Sequence, residues 1–276
     1  MCRWLAYFGD PLPLEDLLYK PEHSLIDQSL HAKLGPHTTN GDGFGIGWYG
    51  DGDVPAIYKN IDPAWNDQNL KELARHVRSP LFFAHIRAST GTPVQYTNCH
   101  PFRHGRWLWM HNGQITRFQE IKRELVVAID PSLYPLITGS SDTETFFFLA
   151  LTFGLQDDPP AAVERAVGFI EKVCEAHGIR EAMRMSVAVS DGTAVWAFRY
   201  STEGIPPSLY FSTKADTLRR HYPKVASFQS LSDETRLVVS EPLGSREGAW
   251  NEVPPSHYGL ICLGEDHLRP FQPRAA

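Results

Sequence analysis

The chain has 276 residues, 42% hydrophobic and 21% charged, with a formal charge of −6, a globular composition that excludes disordered and collagen-like classes. The acidic balance leaves none of the basic excess that nucleic-acid or anionic-membrane partners require. No basic leader with an apolar core opens the chain, and no apolar run nears the roughly 20 residues that span a bilayer. A cytoplasmic protein with neither partner is expected, built as one domain over residues 1–276.

In chain order, CRWLAYFG reads as a strand, and PLEDLLYK and HSLIDQSLHAK have helical character. NGDGFGIGWYG, from Asn40 to Gly50, reads as a strand entering a tight bend. Its alternate glycines suit a strand that another backbone or a ligand approaches closely. From Pro80, PLFFAHIRAST is a buried strand ending in a loop, and RWLWM repeats the pattern before HNGQI. Ser141 N-caps a strongly apolar helix, with Glu144 completing a capping box. PPAAVERAVGFIEKVCEAHG is a second helix, starting on proline and stopping at Gly178. The last third reads as strands: MSVAVSDG, TAVWAFRY, SLYFSTK, TRLVVSEPL and HYGLICLG, the first two joined by a turn at Asp191 and Gly192. The proline-rich tail after His267 reads as loop. Strands, two helices, then strands imply an α+β layered fold with helices against antiparallel sheets.

Four scattered cysteines, Cys2, Cys99, Cys174 and Cys262, show no CxxC pair, so neither a disulfide framework nor a zinc ribbon is expected. Cys99 reads as a small buried residue beside a turn, and Cys174 and Cys262 as core positions. Cys2 is the candidate nucleophile, although a cysteine in second place also occurs by chance. Removing Met1 would leave its thiol and a free α-amine on one residue, and an amine of pKa near 7.7–8.0 can accept a thiol proton at neutral pH.

A nucleophile attacking an amide also needs oxyanion donors and anchors. Asn112 offers an amide donor, and Gly113 can turn its backbone N–H to a ligand, although a plain Asn-Gly turn fits the same residues. Arg87, at the end of an apolar strand, needs a carboxylate from the protein or a ligand. Asp142 can accept from a substrate ammonium, or can simply favour the first helical turn. His85, two residues before Arg87 in a strand, shares its face. His85, Cys99, His100 and His111 lack zinc-site spacing, so no metal and no cofactor is expected. The glycine-rich NGDGFGIGW lacks the GK[ST] ending of a phosphate loop, and Asp42 within it shapes or packs the turn.

In this order, MCRWLAYFG, AHIRAST, WMHNGQI and SSDTET, together with NGDGFGIGWY and TNCHPF, resemble the class II glutamine amidotransferases of the N-terminal nucleophile hydrolase superfamily. The likeness covers the N-terminal half specifically. It is strongest to a stand-alone branch of YafJ-like proteins and γ-glutamyl hydrolases of ergothioneine biosynthesis and glutathione breakdown, to which LVVSEPLG, Trp250 and Val253-Pro254 are also similar. Two positions differ from the sugar- and purine-forming members: Ala88 replaces an aromatic residue and Gly91 a histidine.

The resemblance implies a four-layer αββα sandwich. It makes Cys2 the nucleophile, with its amine the base acting through a water, and gives the oxyanion to Asn112 and Gly113. It gives the α-carboxylate of a γ-glutamyl group to Arg87 and the α-amine to Asp142, with Thr90 lining the pocket. The expected reaction is hydrolysis of a γ-glutamyl amide, in glutamine or a small-molecule conjugate, through a Cys2 thioester that releases glutamate. Two alternatives stay open: a glutaminase subunit delivering ammonia to a separate synthase chain, and a non-catalytic scaffold or binding protein in which a retained Met1 displaces the amine. A homo-oligomer is also open.

Overall fold

Alternation along the first strand sets the layering. In the computed structural model, which describes residues 2–34, 38–89, 91–213, 215–244, 248–264 and 266–275, β1 (Arg3–Pro13) sends Trp4, Ala6 and Phe8 to one face and Leu5 and Tyr7 to the other. Both faces are buried, so the strand reads as a continuous apolar run rather than an alternating one.

The further strands are β2 (Phe44–Trp48), β3 (Ala56–Asn60), β4 (Arg78–Ile86), β5 (Phe102–His104), β6 (Trp107–Ile115), β7 (Met183–Ser190) and β8 (Val195–Ser201), then β9 (Tyr210–Ser212), β10 (Arg236–Val239), β11 (Trp250–Glu252), β12 (His257–Ile261) and β13 (His267–Pro270). They form a seven-stranded sheet ordered β11-β9-β10-β1-β4-β2-β3 and a six-stranded sheet ordered β13-β12-β8-β7-β6-β5. Every pairing is antiparallel.

Between the sheets lies a core of Trp4, Ala6, Phe8, Leu81 and Phe83 from one and Leu108, Met110, Ala188 and Ala197 from the other. The outer face of the seven-stranded sheet packs on helices α1 (Glu15–Leu18), α2 (Leu25–His31), α3 (Gln68–His76) and, after three on the opposite side, α7 (Ala215–His221). The six-stranded sheet is covered by α4 (Phe118–Val127), α5 (Asp142–Thr152) and α6 (Pro159–Ala176). The result is the expected four-layer αββα sandwich. Helix α5 is apolar on all sides because it is buried from Thr143 to Leu151, and each of its phenylalanines contributes about 1.5–3 kcal/mol by leaving water.

The close approach expected at the β2 glycines is present. A Cβ on Gly45 would lie 2.2 Å from the His100 carbonyl oxygen, and one on Gly47 2.8 Å from Pro101 Cγ, so only glycine lets the His100–Pro101 segment press against the strand.

Several expectations change. Asn112 and Gly113 are not a turn: β6 runs through them to Ile115, pairing Asn112 with Ser186 and Gly113 with Met185. The tail does not begin as loop, because residues 267–270 form the edge strand β13 against β12. Cys174 is buried as expected, but Cys262 is only half-buried and is no core residue. The sequence pattern assigns no element to β3, α3 or α4. Their buried stripes are thin, limited to Leu70 and Ala74 in α3 and to Phe118, Ile121 and Leu125 in α4, which makes those stretches look like polar connections.

Candidate active site

Cys2 is placed by strand register. β1 pairs with β4 so that Arg3 opposes Ile86, and one step further along the two chains brings Cys2 beside Arg87. The Ala88 N–H donates to Cys2 Sγ at 3.3 Å, and the thiol donates to the Ala88 carbonyl at 3.4 Å. The Cys2 carbonyl accepts from Arg3 Nη1 at 3.0 Å and from Asn112 Nδ2 at 2.9 Å. Burial pushes the thiol above its ordinary pKa, and the opposing pull of the Ala88 backbone and of the Arg87 and Arg3 charges does not reverse this. At rest the Cys2 side chain is therefore a thiol rather than a thiolate.

Arg87 is 4% exposed. Its Nη2 donates to Ser89 Oγ at 3.1 Å and Thr92 Oγ1 at 2.6 Å, and its Nη1 to the Asp42 carbonyl at 3.5 Å. Among the described residues it has no ion pair with a carboxylate. A buried guanidinium held only by neutral oxygens lacks a counter-charge, which an anionic ligand would supply. Asp42 shapes the loop around it, accepting the Ser89 N–H at 2.7 Å on Oδ2 and donating its own N–H to the Arg87 carbonyl at 3.1 Å. Thr90 lies outside the described residues. Ser89 and Thr92 were missed by sequence reasoning; the hydroxyls clustered after a strand-end arginine were the available signal.

Strand β6 sends Leu108, Met110 and Asn112 to the inter-sheet face, and Trp109 and His111 towards α5. Asn112, 2% exposed, points at the Cys2 carbonyl; one of its two amide hydrogens remains to be used. His111 Nδ1 is 2.9 Å from Thr143 Oγ1. Gly113 has φ +151°, and a Cβ there would lie 2.0 Å from the Arg184 carbonyl oxygen and 2.5 Å from His111 Nε2. That position admits only glycine.

Ser141 caps α5 as expected, accepting the Glu144 N–H at 3.2 Å. The other half of the capping box is absent, because the Glu144 carboxylate reaches past Ser141 to the Thr138 and Gly139 N–H groups at 3.0 and 2.7 Å. Asp142 is the first helical residue. Its Oδ2 accepts the Ile115 N–H at 2.9 Å and its Oδ1 the Thr143 N–H at 2.8 Å, tying the helix to β6 two residues beyond Gly113.

Cys2, Arg87, Gly113 and Asp142 line one cavity of about 290 Å³, with Ser89, Thr92, His100 and His111 also in its wall. Asn112 reaches the site through Cys2 rather than from the wall. His85 and His100 share a 2.8 Å hydrogen bond. Burial, helped by the Arg87 charge, pulls His85 down to about 3; burial and the adjacent His85 hold His100 well below the usual histidine range. His111 is lowered as well, chiefly by burial. All three are neutral at neutral pH, and among the described residues no imidazole hydrogen-bonds to Cys2 Sγ. Among the described residues no group of three or more His, Cys, Asp or Glu is placed to hold a metal ion.

The family model of class II glutamine amidotransferases matches residues 24–269. The chain is 36% identical to the probable glutamine amidotransferase DUG3 of Saccharomyces cerevisiae, over 92% of this chain and 80% of that protein. It is 34% identical to the gamma-glutamyl-hercynylcysteine sulfoxide hydrolase of Mycolicibacterium smegmatis, over 97% and 98%. A solved glutamine aminotransferase class-II domain protein from Silicibacter pomeroyi superposes with a TM-score of 0.75 at 34% identity, covering 99% of both chains.

Proposed function

The chain belongs to the class II glutamine amidotransferases, and from that premise we propose that it hydrolyses a γ-glutamyl amide bond through a thioester on Cys2, releasing glutamate. The observation that carries the reading is the convergence of Cys2, Arg87, Gly113 and Asp142, from separate segments, on one cavity.

Arg87 binds the α-carboxylate of the γ-glutamyl group, Asp142 its α-ammonium, and Thr90 lines the same pocket. The base is the Cys2 α-amine, freed when Met1 is removed. The sulfur's partners are the Ala88 backbone groups, and among the described residues no imidazole hydrogen-bonds to it, which supports the amine as the group that takes the proton. The thiol proton passes through a water to the amine as sulfur bonds to the δ-carbon. Asn112 and Gly113 hold the oxyanion, and the C–N bond breaks with the proton returned to the leaving amine. Water then attacks the thioester, the C–S bond breaks, and glutamate leaves with the thiol restored.

A hydrolase acting on a γ-glutamyl conjugate is favoured over an ammonia-delivering subunit by the likeness to a γ-glutamyl-conjugate hydrolase along nearly the whole of both chains. The proposed unit is a single domain over residues 1–276 acting on a small molecule in the cytoplasm; its four cysteines are free thiols, and no helix among the described residues is long and apolar enough to cross a membrane. Incubation with 6-diazo-5-oxo-norleucine and peptide mapping tests the reading. Label on Cys2, and none on a Cys2→Ala variant, is expected; label elsewhere, or none on the wild type, removes it.

A further inference from the structure

We propose that Arg3, anchored on Glu241, is a positioning residue that fixes the Cys2 peptide plane and, through it, Asn112. The inference rests on the thioester mechanism above and assigns its aim to residues outside the cavity wall.

Arg3, Glu241 and His23 are 1%, 2% and 3% exposed. Arg3 Nε lies 2.8 Å from Glu241 Oε2, and His23 Nε2 lies 2.5 Å from Glu241 Oε1. The same carboxylate accepts the Lys33 and Leu34 N–H groups at 2.9 and 3.0 Å. His23 Nδ1 is in turn 2.7 Å from Asp27 Oδ2 on α2. Glu241 is thus pinned from three directions, and Arg3 is pinned to it.

One arm of the Arg3 fork reaches Cys2. Nη1 donates to the Cys2 carbonyl at 3.0 Å, and Asn112 Nδ2 meets the same oxygen from the other sheet at 2.9 Å. Two donors from opposite layers lock the orientation of that carbonyl. With the peptide plane fixed, only ψ and χ1 of Cys2 are left to set where its amine and sulfur point. The same oxygen holds one hydrogen of the Asn112 amide, which orients the second for an oxyanion.

Stability alone does not account for a buried ionic cluster here, since well-packed apolar residues in place of such clusters are often neutral or stabilising. A planar two-armed cation between a buried carboxylate and the Cys2 carbonyl does what an apolar side chain cannot: it carries a fixed direction to the reacting residue.

The test compares wild type, Arg3→Lys and Glu241→Gln on γ-glutamyl-p-nitroanilide, with thermal unfolding of each. Arg3→Lys keeps a cation for Glu241 but loses the fork, and kcat is expected to fall about 100-fold with KM unchanged, because Arg87 and Asp142 are untouched. Glu241→Gln keeps an acceptor for one of the two backbone amides and removes the charge that anchors Arg3, with an expected loss of about tenfold in kcat; it carries the test if Arg3→Lys does not fold. Folded variants with wild-type kcat, or a loss confined to KM or matching the unfolded fraction, overturn the inference. A wild type that cleaves no γ-glutamyl amide removes the proposed function instead, so the two failures are distinguishable.

Discussion

The Asn112 side-chain amide donates to the carbonyl oxygen of Cys2 at 2.9 Å, a bond from the six-stranded sheet to the residue just before the first strand of the seven-stranded one. It joins the proposed oxyanion donor to the backbone of the proposed nucleophile. Asn112→Ala is therefore expected to lower kcat by about 100- to 1000-fold, the usual cost of losing one oxyanion donor, with little change in KM. Steady-state kinetics check this; an equal loss in KM alone would place Asn112 in binding rather than in the chemical step.

Arg87 is the buried cation without a carboxylate partner among the described residues. Replacing it by Lys keeps the charge and loses the planar fork that matches a carboxylate. The expected result for Arg87→Lys is a KM raised about tenfold or more, with kcat much less affected. A variant whose KM stays at the wild-type value would show that the guanidinium does not hold substrate.

Gly113 offers a prediction about stability. With φ at +151° and the Arg184 carbonyl oxygen 2.0 Å from where a Cβ would stand, Gly113→Ala must move β6 against β7. A loss of about 3 kcal/mol is expected from strain and overpacking together. Urea unfolding reads it directly, and an alanine variant as stable as wild type would contradict the strand geometry.

Acid sensitivity follows from the buried histidines. His85 has its pKa pulled down to about 3 by burial and by Arg87, against about 6.5 when unfolded. The unfolded chain thus binds the proton first, and the stabilising contribution present above pH 6.5 is lost as pH falls towards 3. At pH 5 the loss from this one group is about 2 kcal/mol. His85→Gln, which can still bond to His100, is expected to lose that much less stability than wild type between pH 7.5 and pH 5. Parallel pH dependences for the two proteins would rule the account out.

Legibility differed by kind of feature. The Ser141 cap was readable because an N-cap is a local bond between residues three apart. The destination of the Glu144 carboxylate was not, since it depends on how residues 138 and 139 fold back over the helix start. Asn112 and Gly113 were visible as a polar pair after an apolar strand. That β6 continues through them was hidden, because Asn-Gly is equally good turn chemistry and only the partner strand β7 decides between the two. Ser89 and Thr92 became recognisable only once the loop after β4 had closed around Arg87.

The amino-acid sequence by itself made the layered α+β architecture legible, because it follows from local pattern, apolar runs and a capped helix, and its motifs made the enzyme family legible. Tertiary structure alone decided who meets whom. Alternation tells a strand which side chains share a face but not which strand lies opposite, and that choice placed Arg87 beside Cys2, Asn112 on its carbonyl and Glu241 behind Arg3. Contacts between residues so far apart in the chain are settled by sheet order and register, which no stretch of sequence carries on its own.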